Sequence, residues 1–226
     1  MFQNLVNLFF PKICEACKLP LQDNEHVVCV TCRHELPITN FHFENNDALK
    51  KILYGRVKLE NATSLLHFSK KGLVQELLHN LKYRGHEQIG KFLGDWLGGE
   101  LQTLDAYKTI DIVVPVPLHI TKRQERGYNQ VTKFGQSIAH ALDADYNEDV
   151  LVKIKHTKTQ VFKDRVTRFD DANMRFDLGK TDNLSRMHIL LVDDIITTGA
   201  TIEACVLLLR SIPDVKISVA TMAIAE

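Results

Sequence analysis

Apolar residues follow two rhythms along this chain. Residues 62–68 and 110–116 are compact runs, the second broken by Asp111. Between them, Leu73, Val74, Leu77, Leu78 and Leu81 recur at steps of three and four, and Ile89, Phe92, Leu93, Trp96 and Leu97 do so again. Compact runs predict buried strands, and the three-to-four step predicts helices with one apolar face. The pattern therefore predicts a strand over 62–68 and one or two helices over 72–101, divided near Gly85. A strand over 110–116 enters a loop at Pro115 and Pro117, followed by a helix over 127–142 and a strand over 150–154. Residues 155–187 are polar and poorly periodic, longer than an ordinary connection, so part of this stretch is expected to be functional or mobile. Residues 189–192 form another buried-strand run, ending in Asp193-Asp194. A Thr/Gly loop, a helix over 201–211 and a last strand over 215–224 follow. Strands alternating with helices predict an α/β fold with a mainly parallel sheet flanked by helices.

The first sixty residues read differently. Residues 1–10 suggest an amphipathic helix, and four of the five cysteines fall at Cys14, Cys17, Cys29 and Cys32. The fifth, Cys205, lies in an apolar helical pattern and reads as a small core residue. A polar stretch with Pro37, Asn40 and Asn46 suggests a connector, dividing the chain into a small module, 1–50, and a larger domain, 51–226. With 226 residues, 45% of them hydrophobic, the chain has material for one sizeable core. The formal net charge is zero, which argues against nucleic acid binding over the whole surface and leaves room for a local patch. No run approaches the ~20 apolar residues of a membrane span. No signal peptide is read at the N-terminus, so the expected compartment is the cytoplasm.

Residues 189–201 read Ile-Leu-Leu-Val-Asp-Asp-Ile-Ile-Thr-Thr-Gly-Ala-Thr. In open α/β sheets, ligands sit at the carboxyl ends of strands. A turn there that opens a helix offers free amides and a favourable dipole to an anion. Thr197, Thr198 and Thr201 add hydroxyls, and Gly199 permits close approach. Two carboxylates beside that cradle would repel a phosphate but accept hydrogen bonds from vicinal hydroxyls, and a ribose 5-phosphate meets both demands. The plain alternative is a strand ending in an acidic turn before a capped helix. Receiver domains also carry an acidic pair, but on their first strand, and a Walker A loop needs a Gly-Lys-Ser/Thr that is absent.

This segment resembles the phosphoribosyl pyrophosphate (PRPP) motif of type I phosphoribosyltransferases at each of its 13 positions. The resemblance implies that Asp193 and Asp194 hold the ribose hydroxyls, as the residues at the catalytic centre. Ile196, Thr197, Thr198, Gly199, Ala200 and Thr201 would hold the 5′-phosphate, with Mg²⁺ accompanying the ligand. A second anion site for pyrophosphate is expected after the strand that ends at Pro115, Val116 and Pro117, where Lys122, Arg123 and Arg126 follow. Leu81-Lys82-Tyr83-Arg84-Gly85, Pro115-Val116-Pro117-Leu118 and Arg126-Gly127-Tyr128-Asn129-Gln130 are similar to the ComF (competence protein F) family. Thr159-Gln160, Arg168 with Asn173, and the cysteine module fit the same pattern, so the resemblance spans nearly the whole chain. It implies a type I phosphoribosyltransferase fold and a role in uptake of transforming DNA, with other DNA-uptake proteins as candidate partners.

Cys14-x2-Cys17 and Cys29-x2-Cys32, 11 residues apart, suit four thiolates around a structural zinc ion. Disulfides in an exported module are the alternative. Lys153, Lys155, Lys158, Lys163, Arg165 and Arg168 form a basic stretch relieved only by Asp164. Three readings stay open for it: a contact to single-stranded DNA, a loop near the anionic ligand, or a solvated charged face. Function is likewise open among a PRPP-binding protein of DNA uptake, an active phosphoribosyltransferase of nucleotide metabolism with an unidentified acceptor, a non-catalytic PRPP or nucleotide sensor, and a scaffold.

Overall fold

The computed structural model describes residues 11–44, 46–155 and 174–225. The expected helix over 1–10 and the basic residues Lys158, Lys163, Arg165 and Arg168 lie outside them, as do Thr159, Gln160 and Asn173.

Five strands form one fully parallel sheet, in the order β1-β7-β6-β2-β3. They are β1 (Ala62–Phe68), β2 (Ile112–Pro115), β3 (Asp145–Tyr146), β6 (His188–Ile196) and β7 (Lys216–Ala225). The two longest, β6 and β7, lie beside each other at the centre and are buried along nearly their whole length. Alternate residues feed opposite layers. Leu190, Val192, Ala220 and Met222 pack under α4 (Leu73–Tyr83), α5 (Gln88–Leu101) and α7 (Thr132–Leu142). Ile189, Leu191, Ile217 and Val219 pack under α3 (Ala48–Ile52) and α8 (Ala200–Leu209). A strand covered on both faces is apolar over most of its length, and this explains the compact runs.

The structure departs from the expected elements in several places, three of them in the part of the fold that carries the acidic pair and the basic stretch. β6 continues past Val192 to Ile196, because β7 is long enough to keep pairing with it: Asp193 faces Thr221 and Ile195 faces Ala223. The acidic pair thus sits on the ladder. Gly127, at φ +80°, closes an additional helix, α6 (Ile120–Arg126), and α7 begins five residues later. The strand expected over 150–154 is β4 (Leu151–Lys155), which leaves the main sheet and pairs antiparallel with β5 (Met174–Leu178).

The cysteine module shares the core of the sheet. Cys14, Val28, Cys32 and Leu36 belong to the same apolar cluster as Leu65, Leu77 and Leu81. The short helix α1 (Val30–Glu35) holds Arg33 over the rings of Trp96, at 4.3 Å, and Phe92, at 5.4 Å. Helix α2 (Phe41–Glu44) then leads into α3 and β1. Among the described residues, no helix is long and apolar enough to cross a membrane.

Helices α5 and α7 approach through small residues. A Cβ at Gly94 would lie 2.6 Å from the Phe134 carbonyl oxygen and 2.8 Å from Ser137 Cβ, whereas one at Gly99 would meet only Gln102 Nε2, at 3.9 Å. Gly94→Ala should destabilise the protein by about 1–3 kcal/mol through overpacking. Gly99→Ala should stabilise it by roughly 0.5–1 kcal/mol, as an ordinary helix-interior replacement. Thermal unfolding of the two variants checks the opposite signs.

Candidate functional site

The sheet delivers its two acids to opposite layers at the carboxyl end of β6. Asp194 points toward α4 and α7, where its Oδ2 accepts a hydrogen bond from Gln130 Nε2 at 2.8 Å and an ion pair from Lys82 Nζ at 3.0 Å. Asp193 sits on the α8 side, near enough to Cys205 to push that thiol, already raised by burial, further up. Its Oδ1 accepts from the Asp194 N–H at 2.8 Å. Both acids are buried, at 9% and 5% exposure. Burial pushes the Asp193 carboxyl up, and the charge on Asp194 pushes it further. The Asp194 N–H, Lys82 and Lys153 offset this only in part, so the group stands at about 8. Lys153 of β4, whose Nζ lies 4.8 Å from the Phe176 ring centroid, is a member of the basic stretch whose charge acts on Asp193.

After Ile196 the chain turns through Thr197, Thr198 and Gly199 into α8. Gly199 stands at the N-cap with φ +77°, a left-handed conformation that glycine adopts without strain. Gly199 has no side chain to cap the helix; the Ala200 N–H donates to Thr198 Oγ1 at 3.5 Å, and the amides of Thr201 and Ile202 keep donors for a ligand. Thr197, Thr198, Ala200 and Thr201 are exposed, while Gly199 is pressed from behind. A Cβ there would lie 2.7 Å from Leu53 Cδ2 and 3.2 Å from Arg56 Nη2. Arg56 braces the turn by donating to the Thr198 carbonyl at 2.7 Å and pairing with Glu203 at 2.7 Å.

The end of β2 forms the facing wall. Pro115 lies opposite Val192 in the ladder, and the Val116 N–H donates to the Val192 carbonyl at 2.9 Å. Asn129 Nδ2 holds the Val116 carbonyl at 3.1 Å, and the Tyr128 hydroxyl donates to the Leu81 carbonyl. Arg126 lies 5.0 Å from the Tyr83 ring centroid and donates to Gln130 Oε1 at 2.8 Å. Lys82, Tyr83, Lys122, Glu125, Arg126 and Tyr128 surround a hollow of about 240 Å³ with three cations against one acid. Arg123 turns elsewhere and pairs with Glu148 at 2.9 Å.

The four N-terminal thiols converge, with their sulfur atoms all within 4.8 Å of one another, and none is in a disulfide. Cys17 Sγ and Cys29 Sγ are 3.8 Å apart, which is the edge of a tetrahedron with metal–sulfur bonds of about 2.3 Å. The Cys29 N–H donates to Cys14 Sγ at 3.3 Å and the Cys32 N–H to Cys29 Sγ at 3.5 Å. Burial raises the Cys14 thiol, but backbone N–H groups around it outweigh that and draw it down to about 7, while burial and the neighbouring thiols push Cys32 up. These residues fit a metal ion such as zinc.

Three participants were not singled out as site residues on sequence grounds: Lys82, Gln130 and Arg56. The first two stand inside motifs that carried the family resemblance, so a signal existed without a role attached. Arg56 had none, because its partner Thr198 is 142 positions away.

No family model matches the chain. Its sequence relatives include competence protein F of Haemophilus influenzae, 32% identical over 60% of this chain and 61% of the relative, less than two thirds of that protein's length. The DNA utilization protein YhgH of Escherichia coli is 25% identical over 90% of this chain and 93% of the relative. Competence protein ComFC of Bacillus subtilis is 23% identical over 85% and 75%. Among solved structures, adenine phosphoribosyltransferase from Leishmania tarentolae aligns with 78% of this chain and 87% of its own at TM-score 0.41 and 11% identity. The chain is a homologue of proteins named for competence and DNA utilization, the group its motifs pointed to.

The raised Asp193 carboxyl has a consequence for stability. Its folded value of about 8 lies above the unfolded one near 3.9, so the folded chain holds a proton that the unfolded chain releases between them. Stability should therefore fall as pH rises from about 4 to about 8. Asp193→Asn keeps the acceptor for the Asp194 N–H and should flatten that slope, raising the melting temperature near pH 8 by about 4–8 °C, equivalent to ~2 kcal/mol. Melting curves of both proteins between about pH 5 and pH 9 check this, and parallel slopes would mean Asp193 is ionised throughout.

Proposed function

We propose that this protein binds PRPP with Mg²⁺ at the carboxyl end of β6 and takes part in the handling of single-stranded DNA during its uptake. The observation that carries the first half is the buried acid pair beside a glycine-capped helix turn with open amides, because few ligands satisfy both. Asp193 and Asp194 accept from the ribose hydroxyls, and the amides and hydroxyls of residues 197–201 hold the 5′-phosphate. Lys82, Lys122 and Arg126, about the hollow beyond Asp194, take the pyrophosphate. Arg123, already paired with Glu148, is the weaker candidate there. Mg²⁺, when bound with the ligand, supplies charge neutralisation to its phosphate and ribose oxygens. Lys82 and Gln130 hold the Asp194 carboxylate in place before the ligand arrives. Zinc is the ion we assign to the four thiols, where it is structural, since four protein ligands leave no open position.

The competence and DNA-utilization names of the relatives support the second half. Lys153 supports a further use of the basic stretch as a cover over the anionic ligand, since it acts on Asp193. Turnover would make the protein a phosphoribosyltransferase, while binding alone would make it a sensor or a PRPP-dependent module of uptake.

Calorimetric titration of PRPP with Mg²⁺ should show saturable binding by the wild type. The Asp193→Asn/Asp194→Asn protein should lose at least about 1.4 kcal/mol, tenfold in affinity. Folded wild-type protein that binds no PRPP at millimolar concentration would overturn the reading. Product analysis with candidate acceptors in the same mixtures separates enzyme from module. For the DNA half, affinity for single-stranded DNA should fall with salt, and Lys153→Glu/Lys155→Glu/Lys158→Glu should weaken binding and lower the log–log slope by about 2. A slope unaffected by the triple substitution would place DNA elsewhere.

A further inference from the structure

The turn that presents Lys82 to the acid pair is held from its other side by the cysteine module. Glu15, between Cys14 and Ala16, is buried at 7% exposure with its carboxylate directed away from the thiols. Its Oε2 accepts from His86 Nδ1 at 2.6 Å and Oε1 from Gln88 Nε2 at 2.9 Å. Asn80 Nδ2 donates to the Glu15 backbone carbonyl at 2.8 Å and to Oε2 at 3.4 Å. Asn80, fully buried in α4, leaves its Oδ1 without a partner among the described residues. A buried amide with one unsatisfied acceptor carries a desolvation cost, which its contacts to Glu15 must offset. Lys18, one residue past the first knuckle, also reaches α4 by pairing with Glu76 at 2.9 Å.

Helical spacing makes this arrangement two-sided. Asn80 and Lys82 are two residues apart on α4, about 200° around the axis, so one faces the knuckle while the other faces β6. Leu81, between them, gives its carbonyl to Tyr128. Gly85, at φ +77°, then reverses the chain toward His86 and Gln88. Glu15 therefore grips this turn before and after the residues that line the anion hollow.

We infer that Glu15 is a positioning residue: it joins the four-thiol knuckle to Lys82 and so sets the readiness of the site that takes the pyrophosphate end of the ligand. The inference rests on the PRPP reading for the ligand's identity but not for the contact itself. When the thiols close on an ion, the backbone of Cys14 to Cys17 is fixed, and with it the carboxylate that orders residues 80–88. If the knuckle opens, the turn loses its three donors' common acceptor, and Lys82 is free to leave Asp194.

The test uses the full chain. Glu15→Gln replaces one acceptor oxygen by an NH2 that must face a donor, at constant size. His86→Ala cuts the same tether from outside the knuckle, should the first variant not fold. Both are checked for zinc content equal to wild type and for cooperative unfolding. Affinity for Mg²⁺–PRPP should fall by about 5–20-fold in each variant, and by much less when the change is made in a Lys82→Met background. Losses that simply add would overturn the inference. A second readout needs no PRPP: acylation of Lys82 by a succinimidyl ester, followed by peptide mass mapping. Lys82 labelling should rise severalfold in both variants, while the exposed Lys91 keeps its rate. Unchanged Lys82 labelling would overturn the inference. If the wild type binds no PRPP, the functional reading fails alone, and the labelling result still decides whether Glu15 sets Lys82.

Discussion

Two adjacent carboxylates buried at the end of a central strand constrain this protein more than any other feature. Water is excluded by the helices on both faces of β6, so each acid must be compensated by the protein or remain protonated. Asp194 is compensated, by Lys82 and Gln130. Asp193 is compensated only in part, and its carboxyl stays well above the ordinary range. A pair held in that state favours whatever brings hydroxyl donors or positive charge. The Thr/Gly turn, three residues further on, opens a helix and favours the opposite charge. The spacing of these two demands along one strand and one turn defines the ligand class we propose.

Much of the remaining structure supports that strand. β7 extends the ladder far enough to keep both acids on it. Arg56 and Leu53 press on the turn from behind, so Gly199 cannot carry a side chain without displacing them. Close contact through Gly94 and Gly98 keeps α5 against α7, and Gln130 enters the site from the loop just ahead of α7. The cysteine module joins the same core and contacts the turn after α4 that carries Lys82.

The α/β alternation, the parallel sheet, the division of residues 72–101 near Gly85 and the four-thiol cluster were legible because each depends on local pattern. The Thr/Gly turn that opens a helix and the acidic pair before it were legible because their residues are contiguous. The end of β6 was not, since a strand stops where its partner stops, and β7 is a different part of the chain. Helix α6 was missed because one exposed Ile followed by six polar and charged residues, with no buried side chain, leaves no apolar rhythm. The antiparallel β4–β5 ribbon was missed because pairing partners are not written in either strand alone.

What the sequence determined by itself, then, was the chemistry available: two acids, a Thr/Gly turn, four thiols and a set of basic residues in recognisable motifs. Tertiary structure decided which of them meet. It brought Lys82 and Gln130 to Asp194, 112 and 64 positions away, sent Arg123 to Glu148 and put Glu15 behind the turn that carries Lys82. Local pattern reports how a residue partitions between water and core, which depends on its neighbours in sequence. Charge compensation depends on distance through space, and only the folded chain sets that.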